Sequence, residues 1–97
     1  MIAIIATLTV KDGAADEVAA ALNKAAPACR SDAEPGCHYY QPTQLADDPN
    51  VFKVFEVYED QAALAAHRET AHFQPLAELF GKHLAKAPEI DLLKPLD

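Results

Sequence analysis

Hydrophobic and polar positions change period several times along the chain, and each change marks an element. Ile2, Ile4, Ala6, Leu8 and Val10 alternate with Ala3, Ile5, Thr7 and Thr9. Both sets are largely apolar, which predicts a first strand over 2–10 covered on both faces. Lys11-Asp12-Gly13 breaks it. From Ala14 to Cys29 the period is helical: Val18, Leu22, Ala25 and Cys29 form one stripe, with Asp16 and Glu17 in the first turn where the helix dipole favours acids. Pro27 should kink or end this helix near its last turn.

Ser31-Asp32-Ala33-Glu34-Pro35-Gly36 predicts a turn on its Pro-Gly pair. Cys37 to Leu45 reads as a strand, with Pro42 pointing to an edge or a bulge. A loop over 46–50 leads into a strand from Val51 to Tyr58, so the two strands should pair as an antiparallel hairpin. Asp60 is a good N-cap for the helix that follows. An interruption is expected near Phe73-Gln74, with Pro75 restarting a helix whose stripe is Leu76, Leu79, Phe80, His83 and Leu84. Pro88 stops it, and Glu89 to Leu93 reads as a last short strand. The order β-α-β-β-α-β predicts a ferredoxin-like α+β fold with an antiparallel sheet and helices on one face. The other face is also apolar, in the first strand and at Phe55 and Val57. At this size a partner sheet is its natural cover, which predicts an obligate homodimer.

Size and charge narrow the functions. A chain of 97 residues makes a single domain, 1–97, since two cores would each be too small. A net charge of −7 argues against non-specific nucleic-acid binding and against anionic membrane surfaces. No apolar run approaches the roughly 20 residues of a membrane span. Met1–Ala6 reads as strand rather than signal peptide. Cys29 and Cys37 can in principle pair, but without an export signal reduced thiols and a cytoplasmic location are the expectation.

The candidate chemistry gathers where the strand ending at Tyr58 passes into the helix after Asp60. Glu56 shares a strand face with Phe52, Val54 and Tyr58. If that face meets the helices, burial raises its pKa and makes it a base or a hydroxyl acceptor near neutral pH. The structural alternative is a bond to Arg68 or His67. His67, three residues after Leu64, should point to the sheet as a general base or donor, or as a core histidine held by Glu56. His72 is five residues on, too far around one helix to share that face. It either closes the pocket or caps a helix end. Tyr58 can offer its hydroxyl to a ligand, or pack. Alternation puts Tyr39 opposite His38 and Tyr40, so at most part of that trio lines a helix-side pocket. His83 reads as a core or helix-end residue. No His-x-x-x-His or Cys-x-x-Cys spacing exists, so no metal ligands are assigned. No phosphate loop or dinucleotide fingerprint exists either, so no flavin or nicotinamide is indicated.

Phe55-Glu56-Val57-Tyr58-Glu59-Asp60, Ala63-Leu64-Ala65-Ala66-His67 and Thr70-Ala71-His72-Phe73 together resemble the antibiotic biosynthesis monooxygenase family, with its E-x-W-x-D, A-L-x-x-H and T-x-H-F elements. The resemblance covers nearly the whole chain and implies a dimeric α+β barrel. It departs at Tyr58, where the family usually has Trp. There is no Trp in the chain, so no mechanism can lean on an indole. The haem-degrading branch would need an Asn on the first strand and a His one turn past Phe73. The first Asn is Asn23 and that later position is Ala77, so haem degradation is not expected. The resemblance implies a monooxygenase without cofactor that oxidises a small quinol or polyphenol with O2. His67 and Glu56 would be catalytic, and Tyr58, His72, Phe52 and Tyr40 would bind substrate. An isomerase of a small hydroxy-ketone and a non-catalytic metabolite-binding dimer are the alternatives.

Overall fold

The computed structural model describes residues 1–96, so Asp97 lies outside it. Its elements are β1 (Ile2–Thr9), α1 (Ala15–Cys29), β2 (Cys37–Gln44), β3 (Val51–Tyr58), α2 (Gln61–Arg68), α3 (Phe73–His83) and β4 (Glu89–Leu93). The strands form one antiparallel sheet in the order β2-β3-β1-β4. This is the expected ferredoxin-like arrangement, with the second helix divided in two. Val10 falls just outside β1, in an isolated bridge to Leu84.

Strand alternation sorts the sheet as the sequence predicts. Ile4, Ala6 and Leu8 of β1 and Phe52, Val54, Glu56 and Tyr58 of β3 are buried, while their alternating neighbours are half-exposed. The α1 stripe of Val18, Leu22, Ala25 and Cys29 is buried with them. α1 runs through Pro27 and ends two residues later at Cys29, so the expected end near the last turn follows just after the proline. Pro42 sits on β2, an edge strand, where its missing N–H is tolerated.

Two local departures shape the site. Cys37 pairs with Tyr58 but Tyr39 pairs with Val57, so His38 is the extra residue of a bulge. Simple alternation would put His38 beside Tyr40. The bulge instead takes His38 out of the ladder, exposed and 3.9 Å from Glu59, while Tyr40 pairs with Glu56 on the buried face. The helix break falls at residues 69–72, ahead of the expected Phe73-Gln74. Pro75 explains why a break is needed: in a continuous helix its ring would meet the carbonyl of Ala71. Thr70 organises the junction, its hydroxyl donating to the His67 carbonyl at 2.8 Å and accepting from the Phe73 N–H at 3.3 Å. Asp60 caps α2 as expected, accepting from the Ala63 N–H at 2.8 Å.

Candidate functional site

Sheet register places Ile4, Glu56 and Tyr40 in one row across β1, β3 and β2, all on the helix side. Above this row α2 turns His67 inward, leaving the residue 3% exposed. The His67 ring is enclosed by Phe73, Tyr58 and Tyr40, at centroid distances of 5.0, 5.4 and 5.7 Å. Beside it lies a cavity of about 310 Å³, walled by Ile4, Ala6, Leu8, Leu22 and Phe80 and bearing Tyr40, Glu56, His67 and Arg68 as its polar groups. A mostly apolar space with few convergent polar groups is the usual form of a small-molecule site.

Glu34 makes the side-chain hydrogen bond that holds His67. It is 6% exposed, although it belongs to the turn between α1 and β2. The Glu34 N–H bonds to the Ser31 carbonyl, the Cys37 N–H bonds to the Glu34 carbonyl, and the Glu59 N–H bonds to the Gly36 carbonyl, so the turn is folded tightly against the end of β3. Glu34 Oε1 lies 2.8 Å from His67 Nδ1, and Oε2 accepts from His72 Nε2. A carboxylate oxygen accepts, so Nδ1 carries the His67 proton. In the neutral ring the Nε2 lone pair then faces Glu56, whose Oε1 is 4.0 Å away. That separation is too long for a hydrogen bond, and a ligand oxygen within about 2.8 Å of both atoms fits between them.

Glu56 is held by Tyr58, whose hydroxyl donates to Oε1 at 2.5 Å. Neither Arg68 nor His67 takes the hydrogen-bonding role that the sequence reading offered them. Burial pushes the Glu56 carboxyl above its ordinary value, against the Tyr58 bond and the His67 and Arg68 charges. Burial and the adjacent carboxylate push the Tyr58 phenol upward, and burial does the same to Tyr40. The thiols rise too, Cys29 to about 12 and Cys37 to about 11, by burial first and then by the Glu34 charge. Both cysteines are free. Protonated at neutral pH, they are poor nucleophiles.

A pH effect follows from Glu56. A carboxyl raised by folding stabilises fully below its unfolded pKa, and that stability is lost as pH rises through the folded pKa. Glu56→Gln keeps an acceptor for Tyr58 and cannot ionise. It should therefore match wild type near about pH 4 and exceed it near about pH 8 in urea unfolding. Parallel pH profiles for the two chains would contradict this.

The expected site residues divide. His67, Glu56 and Tyr40 line the cavity together. Tyr58 is wholly buried and reaches the cavity only through Glu56. Phe52 is a core residue bordering a separate space near Pro42, because four residues along a strand carry it about 13 Å from Glu56. His72 lines a neighbouring groove between α1 and α3 rather than this cavity. It nevertheless meets His67 at one carboxylate, because the break at 69–72 removes the helical spacing that would separate them. His83 bonds Glu17 at 2.8 Å and ties the end of α3 to the start of α1. Sequence reasoning missed Glu34. A polar residue before Pro-Gly reads as solvated turn, and no periodicity marks it.

The profile of the family described as antibiotic biosynthesis monooxygenase matches residues 1–79. YcnE of Bacillus subtilis, whose name proposes a monooxygenase, is 40% identical over 58 residues, which is 60% of this chain and 60% of its own length. The protein sll1783 of Synechocystis is 38% identical over 64 residues, 66% of this chain and 44% of its own. The chain thus spans less than two thirds of either relative. Among solved structures, PA3566 of Pseudomonas aeruginosa superposes with a TM-score of 0.89 at 31% identity, covering 99% of this chain and 94% of that one. A Nitrosomonas europaea structure named for the same family superposes with a TM-score of 0.92 at 26% identity, covering all of both chains. No helix among the described residues is long and apolar enough to cross a membrane.

Proposed function

The chain belongs to the antibiotic biosynthesis monooxygenase family, and from that premise we propose that it is a cofactor-independent monooxygenase acting on a small quinol or polyphenol. One observation carries the reading: His67 is anchored through Nδ1 by Glu34 and turns Nε2 into an apolar cavity facing Glu56 across 4.0 Å. A phenolic hydroxyl placed in that gap gives its proton to Nε2. The resulting anion is reducing enough to pass an electron to O2, giving a substrate radical and superoxide. These join at a ring carbon, and the peroxide O–O bond then breaks. One oxygen stays on the ring and the other leaves as water, so quinol plus O2 becomes hydroxyquinone plus water, with every electron drawn from the substrate. Glu56, whose carboxyl burial pushes above its ordinary value, stands across the gap where it can relay the proton needed at the peroxide. The apolar walls orient the ring and exclude water.

The same reading makes the working form a homodimer, with a second copy covering the open sheet face. Leu93 on β4 and Tyr39 on β2, which pair with Ala3 and Val57 of the open face and are 43% and 51% exposed, support it.

The test is oxygen uptake by chelator-treated protein with a panel of reduced quinols, with isotopic oxygen traced into product. Label in the hydroxyquinone at a rate above the spontaneous reaction is the expected result. No enzyme-dependent uptake, together with solvent-deuterium exchange into a hydroxy-ketone, would replace the oxygenase with an isomerase.

A further inference from the structure

Cys29 ends α1, Glu34 lies in the turn before β2, His67 is on α2, and His72 immediately precedes α3. One ligand atom from each of these segments falls in a group whose members all lie within 4.8 Å of one another. We propose that these four residues form a binding site for a zinc-class divalent cation, using Cys29 Sγ, a Glu34 carboxylate oxygen, His67 Nδ1 and His72 Nε2.

The donor set suits that ion. Thiolate, imidazole and carboxylate are the ligands of four-coordinate zinc. Bond lengths of about 2.3 Å to sulfur and about 2.0–2.1 Å to nitrogen or oxygen put tetrahedral donors roughly 3.3–3.8 Å apart. Small side-chain rotations bring the present group to that size, with Glu34 moving back from the two imidazoles it now touches and the wider pairs, all within 4.8 Å, drawing in. Charge also balances. One thiolate and one carboxylate neutralise a divalent cation, which matters because Cys29, Glu34 and His67 are all buried and an uncompensated charge there would be costly. His72 alone keeps exposed side-chain surface, 18%, and borders the groove between α1 and α3, which supplies an entry path. The supports around the donors are in place: the Thr70 hydroxyl fixes the His67 carbonyl, and Arg30 Nε holds the Tyr40 carbonyl at 2.8 Å beside the turn.

The site lies behind His67, since of the four ligands only His67 lines the main cavity. Its consequence for catalysis rests on the oxygenase reading. A cation on Nδ1 moves the imidazole proton to Nε2, so the loaded protein presents a donor to the cavity instead of a base. Occupancy of this site therefore switches the proposed proton transfer off.

Binding is tested apart from turnover. Chelator-stripped full-length protein is titrated with Co2+ and followed by absorption, then challenged with Zn2+. Saturation at one Co2+ per chain is expected, with tetrahedral ligand-field bands and a thiolate-to-cobalt charge-transfer band, all displaced by Zn2+. Cys29→Ser should lose the charge-transfer band, and His72→Ala, at the most exposed ligand, should weaken binding by at least about tenfold. Zn2+ should raise the melting temperature of wild type and not of Cys29→Ser. No saturable spectrum, a spectrum unchanged in both variants, or binding lost only on His83→Ala would each overturn the site. Because the readout is binding, failure here leaves the oxygenase reading standing, and absence of turnover leaves the metal result intact.

Discussion

His67→Ala is expected to lower enzyme-dependent oxygen uptake by about 10²–10⁴-fold, the range that a positioned general base supplies. The substitution also opens space beside Phe73, Tyr58 and Tyr40, so a loss of rate in that variant alone would mix chemistry with packing. His67→Asn separates the two. Its amide nitrogen can still donate to Glu34, replacing the 2.8 Å bond from Nδ1, but nothing takes the place of Nε2 opposite Glu56. Equal losses in the two variants, with His67→Asn melting near wild type and added imidazole restoring part of the His67→Ala rate, are the expected results. A His67→Asn chain that retains wild-type uptake would move the base to Glu56. Glu34→Gln supplies a graded companion. It removes the charge that holds the proton on Nδ1 and should cost about 10–100-fold, chiefly in kcat, because the ring stays near its place but in the wrong tautomer for part of the time.

How much of this was legible in the chain depends on whether a residue lies inside a regular element. The period-two pattern of Phe52, Val54, Glu56 and Tyr58 placed Glu56 on the buried face, and the structure keeps it there because β3 is a central strand with a helix layer above it. The stripe Val18, Leu22, Ala25 and Cys29 was equally readable, since a helix of about four turns repeats its geometry. The residues that complete the site are elsewhere. His38 and Tyr40 were separated by a bulge, which local alternation cannot foresee. His72 was aimed at Glu34 by a chain reversal set by Thr70 and Pro75, whose effect on direction is tertiary. Glu34 was hidden by its own context. Its burial comes from α2 closing over the turn, and a turn sequence carries no mark of what will pack on it. The cluster of Cys29, Glu34, His67 and His72 likewise draws on four segments, so no spacing motif announces it.

The closeness of that packing yields a second large effect, at Gly36. A Cβ placed on Gly36 would stand 2.5 Å from Ala63 Cβ on α2, a distance that real side chains do not tolerate. Both partners are held by backbone: the Gly36 carbonyl accepts the Glu59 N–H at 2.8 Å, and Ala63 is the residue whose N–H the Asp60 cap engages. Gly36→Ala must therefore pry the turn from α2, at about 1–3 kcal/mol of stability by the usual scale of overpacking. The displacement runs through Glu34, two residues away, so oxygen uptake should fall even at temperatures where the variant is fully folded. Ala63→Gly alone removes a methyl from a helix and should cost about 1 kcal/mol. In the double variant the clashing Cβ is gone and the nearest remaining atom, Ala63 Cα at 3.6 Å, is an ordinary contact. The double variant is thus expected to be more stable than Gly36→Ala, with a favourable coupling of about 1–2 kcal/mol in a denaturant double-mutant cycle, and to recover uptake. Additive losses with no recovery would mean that the turn and α2 are not in contact, and that Glu34 does not reach His67 as described. The glycine is required by proximity and not by dihedral freedom, since among the described residues Gly13 is the one with positive φ. Its replacement therefore tests whether the closure of α2 over the turn is what builds the site.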